Sequence, residues 1–291
     1  MKVFVTGVGG QLGHDVMDEL KGRGIEAIGS DIGPHWEVSL DITNREAVAS
    51  ALAEIRPDAV IHCAAWTAVD AAEEVENQEK ARTINAHGTR YLAESCKALG
   101  CKLLYISTDY VFDGQGETPW EPDCQAYAPL NVYGQTKLEG EQAVAALVEK
   151  HFIVRIAWVF GKNGKNFVKT MLSLGQKYDT LRVVRDQIGT PTYTKDLSRL
   201  LADMVCTEKY GTYHATNEGG YISWYDFACE IFRQAGFSTR VTPVTTAEYG
   251  LSKAARPFNS RLSKEKLVKM GFKPLPHWQD ALKRYLKEIE E

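Results

Sequence analysis

Tyr133 and Lys137 stand four residues apart at the start of a helical pattern, so their side chains share one face. A phenol with a pKa of about 10 is a poor acid–base group near neutrality. A neighbouring ammonium stabilises the phenolate and makes the phenol more acidic. Thr108 ends the apolar run Lys102-Leu-Leu-Tyr-Ile-Ser107-Thr108, which reads as a buried parallel strand. In an open α/β sheet the carboxyl ends of the strands face the ligand, so the Thr108 hydroxyl can hydrogen-bond the same reacting oxygen as Tyr133. Together the three suit proton transfer to an oxygen that gains negative charge. Tyr-x-x-x-Lys also arises by accident on helix surfaces, so its meaning depends on the elements that place it.

Those elements alternate between strand and helix over residues 1–160. Val3–Thr6 is a short β-branched run, followed by Gly7-Val-Gly-Gly10-Gln-Leu-Gly13 and a helical pattern to about Arg23. A strand, a tight glycine turn and a helix form the context of a dinucleotide site. The glycines let backbone approach a pyrophosphate, and the helix amino terminus offers unpaired N–H groups. The spacing is Gly-x-x-Gly-x-x-Gly rather than the general Gly-x-Gly-x-x-Gly. The next strand, from Glu26, ends at Asp31, close to the offset of about 20 residues at which a carboxylate meets the adenosine ribose hydroxyls. A carboxylate there repels a 2′-phosphate and leans towards NADH. Leu40-Asp41-Ile42 opens a helix capped by Thr43 or Asn44, with Asp41 in reach of the adenine amine. Asp58–Cys63 is the third strand, and the small Ala64 and Ala65 let backbone lie against the cofactor. His62 reads as a packed strand residue. A long helix from about Asn77 to Leu99 carries Asn85 on its apolar side, where an amide bonds backbone and can hold a water near Lys137. This alternation describes right-handed βαβ units and a parallel sheet.

Phe152–Gly161 reads as a further buried strand, with Trp158 either in the core or forming a platform for a sugar ring. Shorter elements follow: a helix start at Asn166, a loop over 186–192, and a helix from Thr194 to about Cys206. A strand at Gly211–Thr216, a helix at Trp224–Ala235 and a last helix from Trp278 to Ile289 complete the chain. Arg256 and Arg261 are candidates to clamp a diphosphate. Residues 1–160 thus read as the dinucleotide-binding domain. Residues 161–291 read as mainly substrate-binding, with some elements returning to the sheet.

With 291 residues and a net charge of −4, the chain has no basic field for nucleic acid. No apolar run approaches the length of a membrane span. The six cysteines (63, 96, 101, 124, 206, 229) lack metal-ligand spacing and read as reduced thiols of a cytoplasmic protein. The amino terminus begins directly as a strand, so no targeting segment is expected.

On Gly7-x-x-Gly10-x-x-Gly13, the Thr108 strand end and Tyr133-x-x-x-Lys137, the chain resembles the extended short-chain dehydrogenase/reductase family along nearly its whole length. Five strings narrow the likeness to the branch that reduces 4-keto nucleotide sugars. They are Ser107-Thr-Asp-Tyr-Val-Phe-Asp113, Pro129-Leu-Asn-Val-Tyr-Gly134, Asn166-Phe-Val-Lys-Thr-Met171, Asp186-Gln-Ile-Gly-Thr-Pro-Thr192 and Arg256-Pro257. The resemblance implies an α/β fold, a Rossmann-type doubly wound parallel sheet with a smaller C-terminal α/β substrate-binding part. It implies NADPH- or NADH-dependent reduction of the C4 keto group of a dTDP-linked 4-keto-6-deoxysugar, the last step towards dTDP-L-rhamnose for cell-surface polysaccharide. Tyr133 would donate the proton, with Lys137 lowering its pKa and holding the nicotinamide ribose. Thr108 would tune the tyrosine and, with Asp109, bond the substrate, while Trp158, Asn166 and Arg256 would contact it too. Gln11, Leu12, Asp31, Asp41, Ile42, Ala64, Ala65 and Thr67 would line the cofactor. Some family members dimerise through a metal held by acidic side chains. No such cluster aligns onto this chain, so no metal is expected, and the protein would be a monomer or homodimer. A dehydratase usually carries an acidic pair after the catalytic hydroxyl, whereas Thr108-Asp109-Tyr110 offers one carboxylate and an aromatic. The intact Thr108, Tyr133 and Lys137 also argue against a regulatory subunit that only binds dinucleotide.

Overall fold

The computed structural model describes residues 1–290. Its first part runs β1 (Lys2–Thr6), α1 (Gln11–Gly22), β2 (Glu26–Asp31), β3 (Val38–Ser39), α2 (Arg45–Ile55) and β4 (Ala59–His62). It continues with α3 (Val69–Ala72), α4 (Val75–Arg82), α5 (Thr89–Leu99), β5 (Lys102–Thr108), α6 (Val132–Leu147) and β6 (His151–Ile156). The later elements are shorter: β7 (Val159–Phe160), α7 (Phe167–Gly175), β8 (Thr180–Val184), β9 (Ile188–Gly189), β10 (Thr192–Tyr193), α8 (Thr194–Val205) and β11 (Gly211–His214). Last come β12 (Asn217–Glu218), β13 (Ile222–Ser223), α9 (Trp224–Ala235), β14 (Arg240–Val244), α10 (Thr246–Tyr249), α11 (Glu265–Lys269), β15 (Leu275–His277) and α12 (Trp278–Glu290).

Seven strands pair in the order β11-β6-β5-β4-β1-β2-β3, all in parallel. Alternate residues of a strand point to opposite faces, and here both faces are covered. Val3 and Val5 of β1 pack with α1 and α8, while Phe4 packs with α2, α5 and α6. A third core, rich in aromatics, gathers Phe160, Phe227, Trp278 and Tyr285 beneath α7, α9 and α12. Each fully buried side chain of this kind contributes about 1.5–3 kcal/mol. The structure is thus a doubly wound α/β sheet with a smaller body on its carboxyl side. The late strand β11 closes one edge of the sheet by pairing with β6.

Three local expectations need correction. The helix expected over residues 77–99 is interrupted, because Thr83–Gly88 winds as a wider π turn between α4 and α5. The apolar run at 152–161 is not one strand. It breaks after Ile156, and Trp158 takes φ +53° before β7 begins. The strand expected to reach Thr216 ends at His214. Asn44, one of the two caps considered for α2, is the cap, accepting a bond from the Ala47 N–H at 3.0 Å.

Candidate active site

At the amino end of α1 the loop is held by backbone against backbone. Gly7 has φ +74°, and a Cβ there would come within 2.5 Å of the Ala64 nitrogen. A Cβ on Gly13 would come within 2.1 Å of the Gly7 oxygen. No side chain caps α1 at Gly10, and its first turn holds no acidic residue. Its first N–H groups are therefore available to an anion, with the positive end of the helix dipole behind them. Gly7, Gly10, Gln11, Leu12 and Gly13 line one end of a cleft of about 1070 Å³. Asp31, Asp41 and Ile42 line the same cleft beyond them, and Ala64, Ala65 and Thr67 line it after β4. Asp31 is anchored, since its carboxylate accepts the Gly9 N–H at 2.8 Å and the Ile32 N–H at 2.7 Å. Asp41 accepts both the N–H and the hydroxyl of Thr43. These donors, glycines and carboxylates fit a dinucleotide.

Thr108, Asp109, Tyr133, Lys137 and Trp158 line the other part of the cleft. Asn131 fixes the start of α6 by accepting the Gly134 N–H at 2.8 Å, and its amide donates to the Ala255 carbonyl. That cap sets Tyr133 and, one turn on, Lys137 opposite the end of β5. The Thr108 hydroxyl donates to Asp109 Oδ1 at 3.1 Å and accepts the Tyr110 N–H. Lys137 is buried. Its Nζ donates to the Ile106 carbonyl at 2.7 Å and lies 4.1 Å from the centre of the Tyr105 ring. Burial pulls its pKa down to about 7, against the field of Glu141. Burial likewise holds the Tyr133 phenol above its ordinary value, while the hydrogen bond with Thr108 pulls the other way. The expectation that Lys137 makes Tyr133 more acidic is therefore not met here. The ammonium is turned to Ile106 and Tyr105, and burial of the phenol sets the direction of its shift. Burial also raises Asp109 to about 6, and its Oδ2 has no hydrogen-bond partner.

The supporting residues behave as packing requires. His62 sits between the hydroxyls of Thr6 (2.7 Å) and Thr89 (3.0 Å), and burial lowers it to about 3. Asn85, within the π turn, accepts the Trp66 N–H and donates to the Trp66 carbonyl and the Thr136 hydroxyl. It pins the segment after β4 to α6.

The chain matches the family described as RmlD substrate binding domain over residues 1–291. It belongs to that family. Among its relatives, the spore coat polysaccharide biosynthesis protein SpsK of Bacillus subtilis is 39% identical over 287 residues, covering 99% of this chain and 97% of that one. A crystal structure of a dTDP-4-dehydrorhamnose reductase from Clostridium acetobutylicum superposes with a TM-score of 0.93 at 43% identity, with 100% of both chains covered. A dTDP-4-dehydrorhamnose reductase from Bacillus anthracis, solved in complex with NADP, gives 0.91 at 42% identity, covering 99% of this chain and 100% of that one.

Two candidate site residues of this family member lie outside the main cleft. Asn166 caps α7 by accepting the Lys169 N–H, and its amide donates to Gln11, the Gly161 carbonyl and the Tyr285 hydroxyl. With its polar atoms spent inside the fold, it is not placed to meet a sugar. Arg256 lines a smaller neighbouring cavity of about 250 Å³. There its guanidinium pairs with Asp70 at 2.7 Å and the Tyr110 hydroxyl at 3.2 Å. Arg261 turns to Asn259 Oδ1 instead, so the two arginines do not form a clamp.

Other residues were not singled out for the site by the sequence. Trp224 and Phe167 line both cavities, and the Trp224 indole lies flat against Trp158, 3.8 Å between ring centres and 15° between planes. Behind α6, Glu141 and Arg155 form a buried two-bond ion pair at 2.8 and 2.7 Å. Among the described residues, His14, Asp15 and Asp18 on α1 bring three ligand-type atoms within 4.8 Å of one another. His14 lies 3.5 Å from Asp15 and 3.7 Å from Asp18. No described helix is long and apolar enough to cross a membrane.

Proposed function

We propose that the protein reduces the C4 carbonyl of dTDP-4-dehydro-β-L-rhamnose to dTDP-β-L-rhamnose, with NADH or NADPH as the reductant. The product would supply cell-surface polysaccharide. One observation carries the reading: Thr108, Tyr133 and Lys137 converge at the carboxyl end of β5, in the same cleft as a capless glycine-loop helix end. The substrate is supported by the reductases at 43% and 42% identity over nearly the whole chain. The destination is supported by the spore coat relative. Residues 1–160 would hold the dinucleotide. Residues 161–291 would supply most contacts to the nucleotide sugar, whose nucleotide part suits the cavity beside Arg256 and Tyr249. All six cysteines are free, in keeping with a cytoplasmic enzyme, and we assign it as a monomer or homodimer.

When bound, the nicotinamide supplies the hydride that reaches C4. Tyr133 then gives its proton to the C4 oxygen, because an alkoxide is far more basic than a phenolate even when the phenol is held above its ordinary pKa. The Thr108 hydroxyl bonds the same oxygen and steadies the phenolate left on Tyr133. Lys137 would hold the ribose hydroxyls of the bound dinucleotide, and its ammonium would offset the phenolate charge. The polar atom left unpaired on Asp109 accepts from a sugar hydroxyl. Incubating the protein with the 4-keto sugar nucleotide and either dinucleotide, then following nicotinamide absorbance and identifying the product by NMR, tests the assignment. Absence of turnover with both dinucleotides, in protein that binds them, defeats it.

A further inference from the structure

Trp158 adopts φ +53°, a left-handed conformation that is costly for a bulky side chain unless its surroundings enforce it. Three contacts do so. Thr192 donates through its N–H to the Trp158 carbonyl at 3.1 Å and through its hydroxyl to the Ala157 carbonyl at 2.6 Å. Gly189 leaves room for the indole edge, since a Cβ there would come within 2.9 Å of it. The Trp224 indole covers one face of the ring at 3.8 Å. Trp224 is itself rigidly set, as the first residue of α9 behind a Ser223–Asp226 capping box. Phe167, the first residue of α7, backs it at 4.6 Å between ring centres. Trp224 and Phe167 line both the main cleft and the smaller cavity. The two helix starts therefore meet in an aromatic partition between the two spaces, with the strained Trp158 on its main-cleft side.

We propose that Trp224 is the positioning and specificity residue of the sugar site: it holds Trp158 as an apolar wall that receives the deoxygenated, methyl-bearing edge of the hexose. This rests on the function proposed above and names how the sugar is told apart from its nucleotide. An aromatic wall gains from a methyl group and offers a hydroxymethyl group no partner for its hydroxyl beyond the indole N–H. Selection by such a surface is bounded at about 10- to 200-fold.

The test separates sugar from nucleotide. The protein saturated with oxidised dinucleotide is titrated calorimetrically with dTDP and with dTDP-L-rhamnose. In the unsubstituted protein the sugar should add affinity. In Trp224→Ala that added affinity should fall about tenfold or more, a larger factor than any loss of dTDP affinity from the smaller cavity that the indole also borders. Trp224→Phe, which keeps a ring on Trp158, should restore most of it. Steady-state KM for the nucleotide sugar should rise in Trp224→Ala while kcat and dinucleotide KM stay near normal. Gly189→Ala, which displaces the indole without touching Trp224, should give the same pattern and serves if Trp224→Ala fails to fold. A Trp224→Ala protein that keeps the full sugar increment, or loses dTDP affinity by the same factor, overturns the proposal alone. An unsubstituted protein with no sugar increment overturns both this and the substrate assignment.

Discussion

At the α1 end of the cleft the contact surface is backbone, set by Gly7, Gly13 and the open first turn of a helix. At the Trp158 end it is side chain, with two stacked indoles and a phenyl ring tilted against one of them, from segments that are far apart in sequence. Between the two ends lie Tyr133 and Lys137 on one helix face. Backbone recognition needs small residues at fixed spacing and tolerates little else. Side-chain recognition needs tertiary packing to bring its parts together, and can be retuned by one substitution.

Substitutions can break this contrast in order of size. Tyr133→Phe should lower kcat by about 10²- to 10⁴-fold, with dinucleotide affinity and melting temperature near normal; near-normal turnover would remove it as proton donor. Gly13→Ala should strike the backbone end alone. Its Cβ would need space now held by the Gly7 carbonyl, 2.1 Å away. Dinucleotide Kd should rise about tenfold or more, with a loss of about 1–3 kcal/mol in stability from overpacking, while dTDP binding persists.

Lys137→Met should lower activity and dinucleotide affinity yet raise the melting temperature at pH 7. Burial pulls the folded Lys137 down to about 7 from an ordinary value of 10.5. Between those values the unfolded chain binds more protons, so this group makes stability rise with pH through that window. The substitution should flatten that slope, and melting curves across the range check it. An unchanged slope would mean the buried ammonium is not the cause.

The smallest effect concerns the choice of dinucleotide. With Asp31 locked by two backbone N–H groups, it cannot swing away from a 2′-phosphate. NADH should equal or exceed NADPH in kcat/KM, and Asp31→Asn should shift the ratio towards NADPH by about tenfold or less, the scale of one removed repulsion. A hundredfold native preference for NADPH would contradict this.

The backbone end was legible in the sequence because its requirements are local. The strand, the glycines and the start of α1 sit in one short stretch, and so do Tyr133 and Lys137. The side-chain end was legible only in part. Trp158 stood out as an aromatic near a strand end, but nothing local shows that Trp224 covers it. Asn166 and Arg256 carried the right chemistry for substrate contact, and their partners Tyr285, Gln11 and Asp70 became visible only in the fold. The π turn at Thr83–Gly88 has no periodic signature of its own, since hydrophobic spacing reports the regular helices on either side. The break at Trp158 was hidden for a similar reason. An apolar run looks the same whether or not one residue inside it turns left-handed.

The pairing of β11 with β6 also bears on how the chain reaches its native state during synthesis. When residue 160 leaves the ribosome, β6 still has a bare outer edge, and the sheet face that α8 later covers is open to water. Exposed edges and uncovered apolar faces are what nascent chains aggregate through. The sheet can seal only once α8 has been made and His214 has emerged, before α9 and α12 of the smaller body exist. A truncation after residue 160 would therefore leave a sticky fragment rather than a free-standing half-enzyme, because the seam between binding two ligands is not the seam along which the chain folds.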